Sequence, residues 1–160
     1  FAASASYRQV VLKQSFEGIP VASVMKHEPV TVSPELTAAE LVEDYFYRYY
    51  YKMFPVVEGG HLLGSVGLNE VKKVKRDQWA TTRIRDILTP ASNATTVTPE
   101  TNAMAALSLM QKTGNGRLCV TVGDRLQGIL TRKDMLEFLS LRLDLEGEAK
   151  DAGKPFFFPS

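Results

Sequence analysis

Val30-Thr31-Val32-Ser33-Pro34-Glu35 is answered further along the chain by Thr96-Val97-Thr98-Pro99-Glu100, and this echo governs how the rest is read. A β-branched run followed by Ser or Thr and then Pro marks a short strand giving way to a helix. Branched side chains suit the pleat, a hydroxyl can cap a helix, and proline fits a first turn where no N–H is needed. Working outward, the match continues in order. Val24-Met25 corresponds to Ile87-Leu88, and Phe54-Pro55-Val56-Val57 to Leu118-Cys119-Val120-Thr121. Leu62-Leu63-Gly64-Ser65-Val66-Gly67 corresponds to Leu126-Gln127-Gly128-Ile129-Leu130-Thr131. The chain is two copies of one supersecondary unit.

Each copy reads as a strand, a helix, two strands and a second helix. Leu36, Ala39, Val42 and Phe46, and again Ala103, Ala106, Leu107 and Met110, recur every three or four residues, the spacing of one buried helix face. Hairpins are predicted from Met53–Val57 through Glu58-Gly59-Gly60 to Leu62–Val66, and from Leu118–Val122 through Gly123-Asp124 to Leu126–Leu130. The expected class is α/β (α+β): two β-α-β-β-α repeats, each too small to be stable alone, packed by a pseudo-twofold axis through their sheets. The expected organisation is a connector helix at 1–18, a first repeat at 19–76, a linker at 77–83, a second repeat at 84–146 and a tail at 147–160.

The 160 residues are 44% hydrophobic and 23% charged, enough for a real core, and the net charge of +1 gives no global field toward nucleic acid or membrane. Cys119 is the only cysteine, which excludes an internal disulfide and a cysteine-based zinc cage and fits a reducing, cytoplasmic setting. No apolar run approaches the roughly 20 residues of a membrane-spanning helix. The opening Phe1-Ala2-Ala3-Ser4 has neither an initiator Met nor a signal-peptide pattern, as expected of a piece of a longer protein. His27 and His61 are isolated, no His-Glu-x-x-His motif is present, and no nucleophile, base and orienter can be assembled. The expectation is a module with no catalytic residues, no metal site and no required cofactor.

Gly128-Ile129-Leu130-Thr131-Arg132-Lys133-Asp134 resembles the Gly-h-h-Ser/Thr-x-x-Asp signature of nucleotide-binding cystathionine-β-synthase-type (CBS) repeats, h being apolar. With the repeat order, the resemblance extends from Ile19 to Leu143 and identifies the chain as a tandem CBS pair, or Bateman module. A narrower resemblance lies in the linker from Ala3 through Gly18 and in Lys75-Arg76-Asp77-Gln78-Trp79-Ala80-Thr81-Thr82. Both look like the CBS pairs appended to membrane-embedded zinc metalloproteases of the site-2 family. That resemblance implies an upstream membrane protease domain in the parent chain, regulation of it by the pair, and placement on the cytoplasmic side of a membrane protein; the resemblance to CBS pairs at large implies a flat homodimer.

For the site, the resemblance implies that Asp134 accepts the hydroxyls of a ribose and that Thr131 and helix-start N–H groups face a phosphate, as anions favour a helix N-terminus. It implies an adenine pocket made by Val30, Lys52 and Met53 of the first repeat, with Arg117 as a phosphate-binding cation; the ligand would be AMP, ADP or ATP. Lys133 and Arg132, in the first helical turn, are further candidates for a phosphate or else solvated cations. Read from spacing alone, Thr131 and Asp134 equally fit a helix capping box, and Arg117 a solvated strand start. The first repeat departs from the signature, with Gly67 in place of the hydroxyl and Glu70 in place of the Asp. At most one working site per chain is therefore expected. The rival expectation is a ligand-free dimerisation or protein-docking module.

The run Tyr45-Phe46-Tyr47-Arg48-Tyr49-Tyr50-Tyr51 is read as core on the side of Phe46 and Tyr49 or Tyr50, with the remainder covering a surface, and not as a nucleic-acid platform. Trp79 is expected to anchor the crossing linker, and Cys119 to be core. Tyr7, Val10, Val11 and Gln14 have the spacing of a connector helix, and Phe156-Phe157-Phe158 is a tail whose apolar rings call for a docking surface.

Overall fold

The computed structural model describes residues 16–151, with side chains to Glu146. The expectations for the connector helix and the Phe156–Phe158 tail lie outside the described residues. The strands are β1 (Lys26–His27), β2 (Met53–Glu58), β3 (His61–Gly67), β4 (Thr89–Pro90), β5 (Thr96–Val97), β6 (Arg117–Val122) and β7 (Arg125–Thr131). The helices are α1 (Ala38–Leu41), running through a π-helical turn (Val42–Phe46) into α2 (Tyr47–Tyr49), then α3 (Leu68–Lys72), α4 (Ile84–Ile87), α5 (Ala103–Thr113) and α6 (Arg132–Asp151). The strands form one mixed sheet in the order β2-β3-β7-β6-β5, with β1 paired to β7 and β4 to β3.

The two hairpins are the predicted ones. β2 and β3 turn at Gly59 and Gly60, whose φ values of 61° and 83° are the left-handed geometry of a tight hairpin. β6 and β7 turn at Gly123 (φ 63°) and Asp124. The hairpins meet where His61 faces Arg125, and there the ring Nδ1 of His61 lies 2.5 Å from Oδ2 of Asp124. His61, isolated in sequence, thus has a partner from the other repeat.

What fastens the repeats together is an exchange of their entering segments. Phe16, Val21 and Val24, which precede the first repeat's helix, lie in one core with Ala106, Met110, Leu130 and Met135 of the second. Conversely Ile84, with Ile87 and Leu88 beside it, lies in the core of the first repeat among Val32, Leu41, Phe54 and Val66. β1 pairs with β7 at Lys26↔Ile129 and His27↔Gly128, and β4 pairs with β3 at Ser65↔Thr89 and Gly64↔Pro90. A Cβ on Gly128 would stand 2.5 Å from the Lys26 carbonyl oxygen, and one on Gly64 2.0 Å from that of Thr89. Glycine is required in each repeat because the partner's strap crosses there.

Two local expectations are corrected and a third is resolved. Ser33 and Thr98 do not cap helices. Ser33 closes a turn by accepting the Glu35 N–H at 3.1 Å, and Thr98 turns against Thr101, so each helix starts four residues later. The caps are Thr37, in a reciprocal box with Glu40, and Asn102, whose carbonyl accepts the Met104 N–H at 2.8 Å. Val30-Thr31-Val32 is not a full strand: Val32 alone bridges, in parallel, to Val56, while its counterpart Thr96–Val97 pairs with β6. In the tyrosine run the π turn adds a residue and the helix ends at Tyr50 in a left-handed conformation (φ 59°). Phe46 and Tyr49 therefore face the core, and Tyr50 is 86% exposed.

Trp79 packs on the first core and donates its indole N–H to the Val74 carbonyl at 3.1 Å, anchoring the linker as expected. Cys119 is buried in β6, where burial pushes its thiol up to about 12.

Candidate functional site

A cleft of about 990 Å³ opens where β1, the approach to β2, the start of β6 and the β7–α6 junction converge. That volume lies within the range of small-molecule sites. Of the residues singled out in the sequence, Val30, Lys52, Met53, Arg117, Thr131 and Lys133 line it. Asp134 does not. It lies beneath the wall, only 8% exposed, linked to two residues that do line the cleft.

The first link is Thr131, whose Oγ1 accepts the Asp134 N–H at 3.0 Å and so caps α6. The other half of a capping box, the acid returning to the cap N–H, is made in the first repeat: Gly67 N–H donates to Glu70 Oε1 at 2.7 Å. Asp134 instead faces Lys26 of β1, with Nζ 3.6 Å from Oδ1. Its Oδ2 is buried with no hydrogen-bond partner, alone in this among the described side chains. Buried carboxylate oxygens without partners are costly and call for a reason.

The first repeat has no such opening. The second oxygen of Glu70 accepts the Thr89 hydroxyl at 2.8 Å, so both are used within the fold. Gly67 has no room for a side chain, since a Cβ there would lie 2.4 Å from the Lys52 carbonyl oxygen. A smaller cleft of about 470 Å³ sits beside it, bordered by Ser65, Asn69, Lys72 and Asn115 and sharing Lys52, Met53 and Arg117 with the larger one.

The larger cleft is electropositive. Lys26, Lys52, Arg117, Arg132 and Lys133 line it, with Glu28 as the one carboxylate among the described lining residues. Glu28 (φ 51°) and Tyr50 (φ 59°) are also the non-glycine residues with positive φ among those described. Both border this cleft, as strained backbone often borders a functional site. Sequence reasoning missed Lys26, Glu28, Tyr50 and Tyr51. Lys26 was within reach of it, because matching Val24-Met25 to Ile87-Leu88 sets Lys26 opposite Thr89, the partner of Glu70. Among the described residues no group of His, Cys, Asp and Glu could hold a metal ion, and no helix is long and apolar enough to cross a membrane.

Paired units with exchanged straps and a cleft between them define a tandem regulatory module. The chain belongs to the CBS domain family, whose model matches it twice, at residues 21–77 and 84–141. CBS pairs are regulatory modules, not catalysts. Among curated relatives, the zinc metalloprotease MJ0392 of Methanocaldococcus jannaschii is 29% identical over 151 residues, 94% of this chain and 41% of that protein. The chain thus spans less than half of that relative, and the resemblance to CBS regions appended to zinc metalloproteases is borne out by it. Among solved structures, the CBS domain of a bacterial CNNM/CorC family Mg2+ transporter in complex with ATP superposes with a TM-score of 0.70 at 18% identity, covering 83% of this chain and 97% of that one. The CBS domain of a membrane protein from Sphaerobacter thermophilus gives 0.65 at 18% identity, covering 86% of this chain and 98% of that one.

Proposed function

We propose that this CBS pair senses an adenosine-containing nucleotide in the larger cleft and, through it, modulates a membrane metalloprotease on the cytoplasmic face. The observation that carries the reading is Asp134: a buried carboxylate with a vacant acceptor oxygen, set at a helix start under a wall of cations. Such a group suits the two hydroxyls of a ribose, while Thr131, Arg117 and Lys133 suit the phosphates and Val30 and Met53 offer an apolar seat for a base. The structural neighbour in complex with ATP supports the ligand class, and the metalloprotease relative supports the effector class. Regulation follows if the ligand prefers one arrangement of the two repeats.

A second reading, a ligand-free docking or dimerisation module, draws on Leu136, Leu141, Leu143 and Leu145 of α6, which are all exposed. Melting curves with AMP, ADP, ATP and S-adenosylmethionine at about 1 mM separate the two. A ligand at 100 times its Kd stabilises by about 2.7 kcal/mol. A shift absent in Asp134→Ala supports sensing, and no shift with any of the four supports docking.

A further inference from the structure

We propose that Lys26, which no sequence signature marks, makes the cleft select phosphorylated nucleotides over the bare nucleoside. This rests on the nucleotide reading above. Lys26 lies on the strap that enters from the first repeat, and it lines the cleft while facing Asp134 from 3.6 Å. That distance exceeds a hydrogen bond, and Lys26 is 58% exposed, so the pair is a long contact that is readily given up.

The equivalent contact in the first repeat is of another kind. Thr89 there makes a 2.8 Å hydrogen bond, so that with the Gly67 N–H each oxygen of Glu70 has a partner within the fold. Lys26 leaves one oxygen of Asp134 without a hydrogen-bond partner. A ribose diol engaging both oxygens of Asp134 must take Oδ1 from Lys26. An uncharged nucleoside offers the displaced ammonium nothing in return, and the ammonium then adds to the unbalanced charge of Lys52, Arg117, Arg132 and Lys133. A phosphate gives it a new partner within the same cleft. The exchange of Asp134 for phosphate therefore favours an anionic ligand over the bare nucleoside.

The test is calorimetric titration of the 160-residue chain with adenosine, AMP and ATP, for wild type, Lys26→Met and Lys26→Arg. Matched melting curves verify folding, which an exposed lysine replaced by a chain of similar length should preserve. Wild type is expected to bind ATP more tightly than adenosine. In Lys26→Met that ratio should fall about tenfold, by loss of one charge-assisted bond to phosphate and release of Asp134 to the nucleoside; Lys26→Arg should retain it. If Lys26→Met binds both compounds in the wild-type ratio, or wild type prefers adenosine, the selectivity proposal is overturned and the nucleotide reading stands. If wild type binds none of the three, the nucleotide reading falls and this inference falls with it.

Discussion

Glu70 and Asp134 occupy equivalent positions in the two repeats, yet Glu70 has both carboxylate oxygens hydrogen-bonded within the fold and Asp134 has one buried oxygen with no partner. One extra methylene explains the difference, since it lets Glu70 fold back to the Gly67 N–H. The same substitution that closes one site thus adds a helix cap.

Replacing Asp134 by Ala should separate stability from binding. The helix cap is the Thr131 hydroxyl on the backbone N–H of residue 134, which Ala retains. What is lost is an unpartnered oxygen and a long contact to an exposed lysine. Asp134→Ala should unfold within about 1 kcal/mol of wild type, whereas Thr131→Ala should lose about 1 kcal/mol with its cap. Denaturant titrations of both variants check this, and a loss above about 3 kcal/mol for Asp134→Ala would mark Asp134 as purely structural.

Gly128→Ala should be a damaging substitution near the cleft despite its small size. Its methyl would meet the Lys26 carbonyl at 2.5 Å and Met25 Sδ at 2.9 Å, and backbone cannot yield as a side chain can. A destabilisation of about 1–3 kcal/mol is expected, with loss of protection at the β1–β7 amides in hydrogen exchange. Gly114→Ala, with open space around it but φ at 71°, should cost less and leave those amides protected.

The Thr37–Glu40 box gives the first repeat an acid limb. Hydrogen bonds from the Thr37 backbone and side chain hold Glu40 below its ordinary value of 4.5. A lowered folded-state value means stabilisation above the unfolded value, lost as pH falls through the folded one. Stability measured from pH 7 to pH 3 should decline more steeply in wild type than in Glu40→Gln, and parallel profiles would exclude the contribution.

Cys119 should resist thiol reagents until the fold opens. It is 3% exposed, and burial raises its thiol to about 12, leaving very little thiolate at neutral pH. Its labelling by a disulfide reagent should keep pace with unfolding as denaturant is raised. Rapid labelling in native buffer would contradict its burial in β6.

Where both period and order repeat, the fold was legible in the residues. The hairpins and the stripe from Ala103 to Met110 follow from the internal echo, whereas the wall made by Val30, Lys52, Met53, Arg117, Thr131 and Lys133 was reached through the resemblance to nucleotide-binding CBS repeats. The caps were misplaced because Ser33-Pro34 and Thr98-Pro99 are as good at opening a turn as at opening a helix. The competing signal, Thr37-Ala38-Ala39-Glu40, is a full capping box in plain sight. Lys26 escaped notice for a different reason. Its contact with Asp134 depends on a strand crossing between repeats, which local spacing does not encode and only the repeat match could have suggested.

The exchange of entering segments fixes where tension on the chain is felt. Phe16 stacks on Phe138 of α6, with ring centroids 6.1 Å apart, and Val21 and Val24 sit among the buried residues of the second repeat. A pull arriving at residue 16 therefore bypasses the repeat next in sequence. It loads the far lobe, along the strap that carries Lys26 and against the helix that carries Asp134.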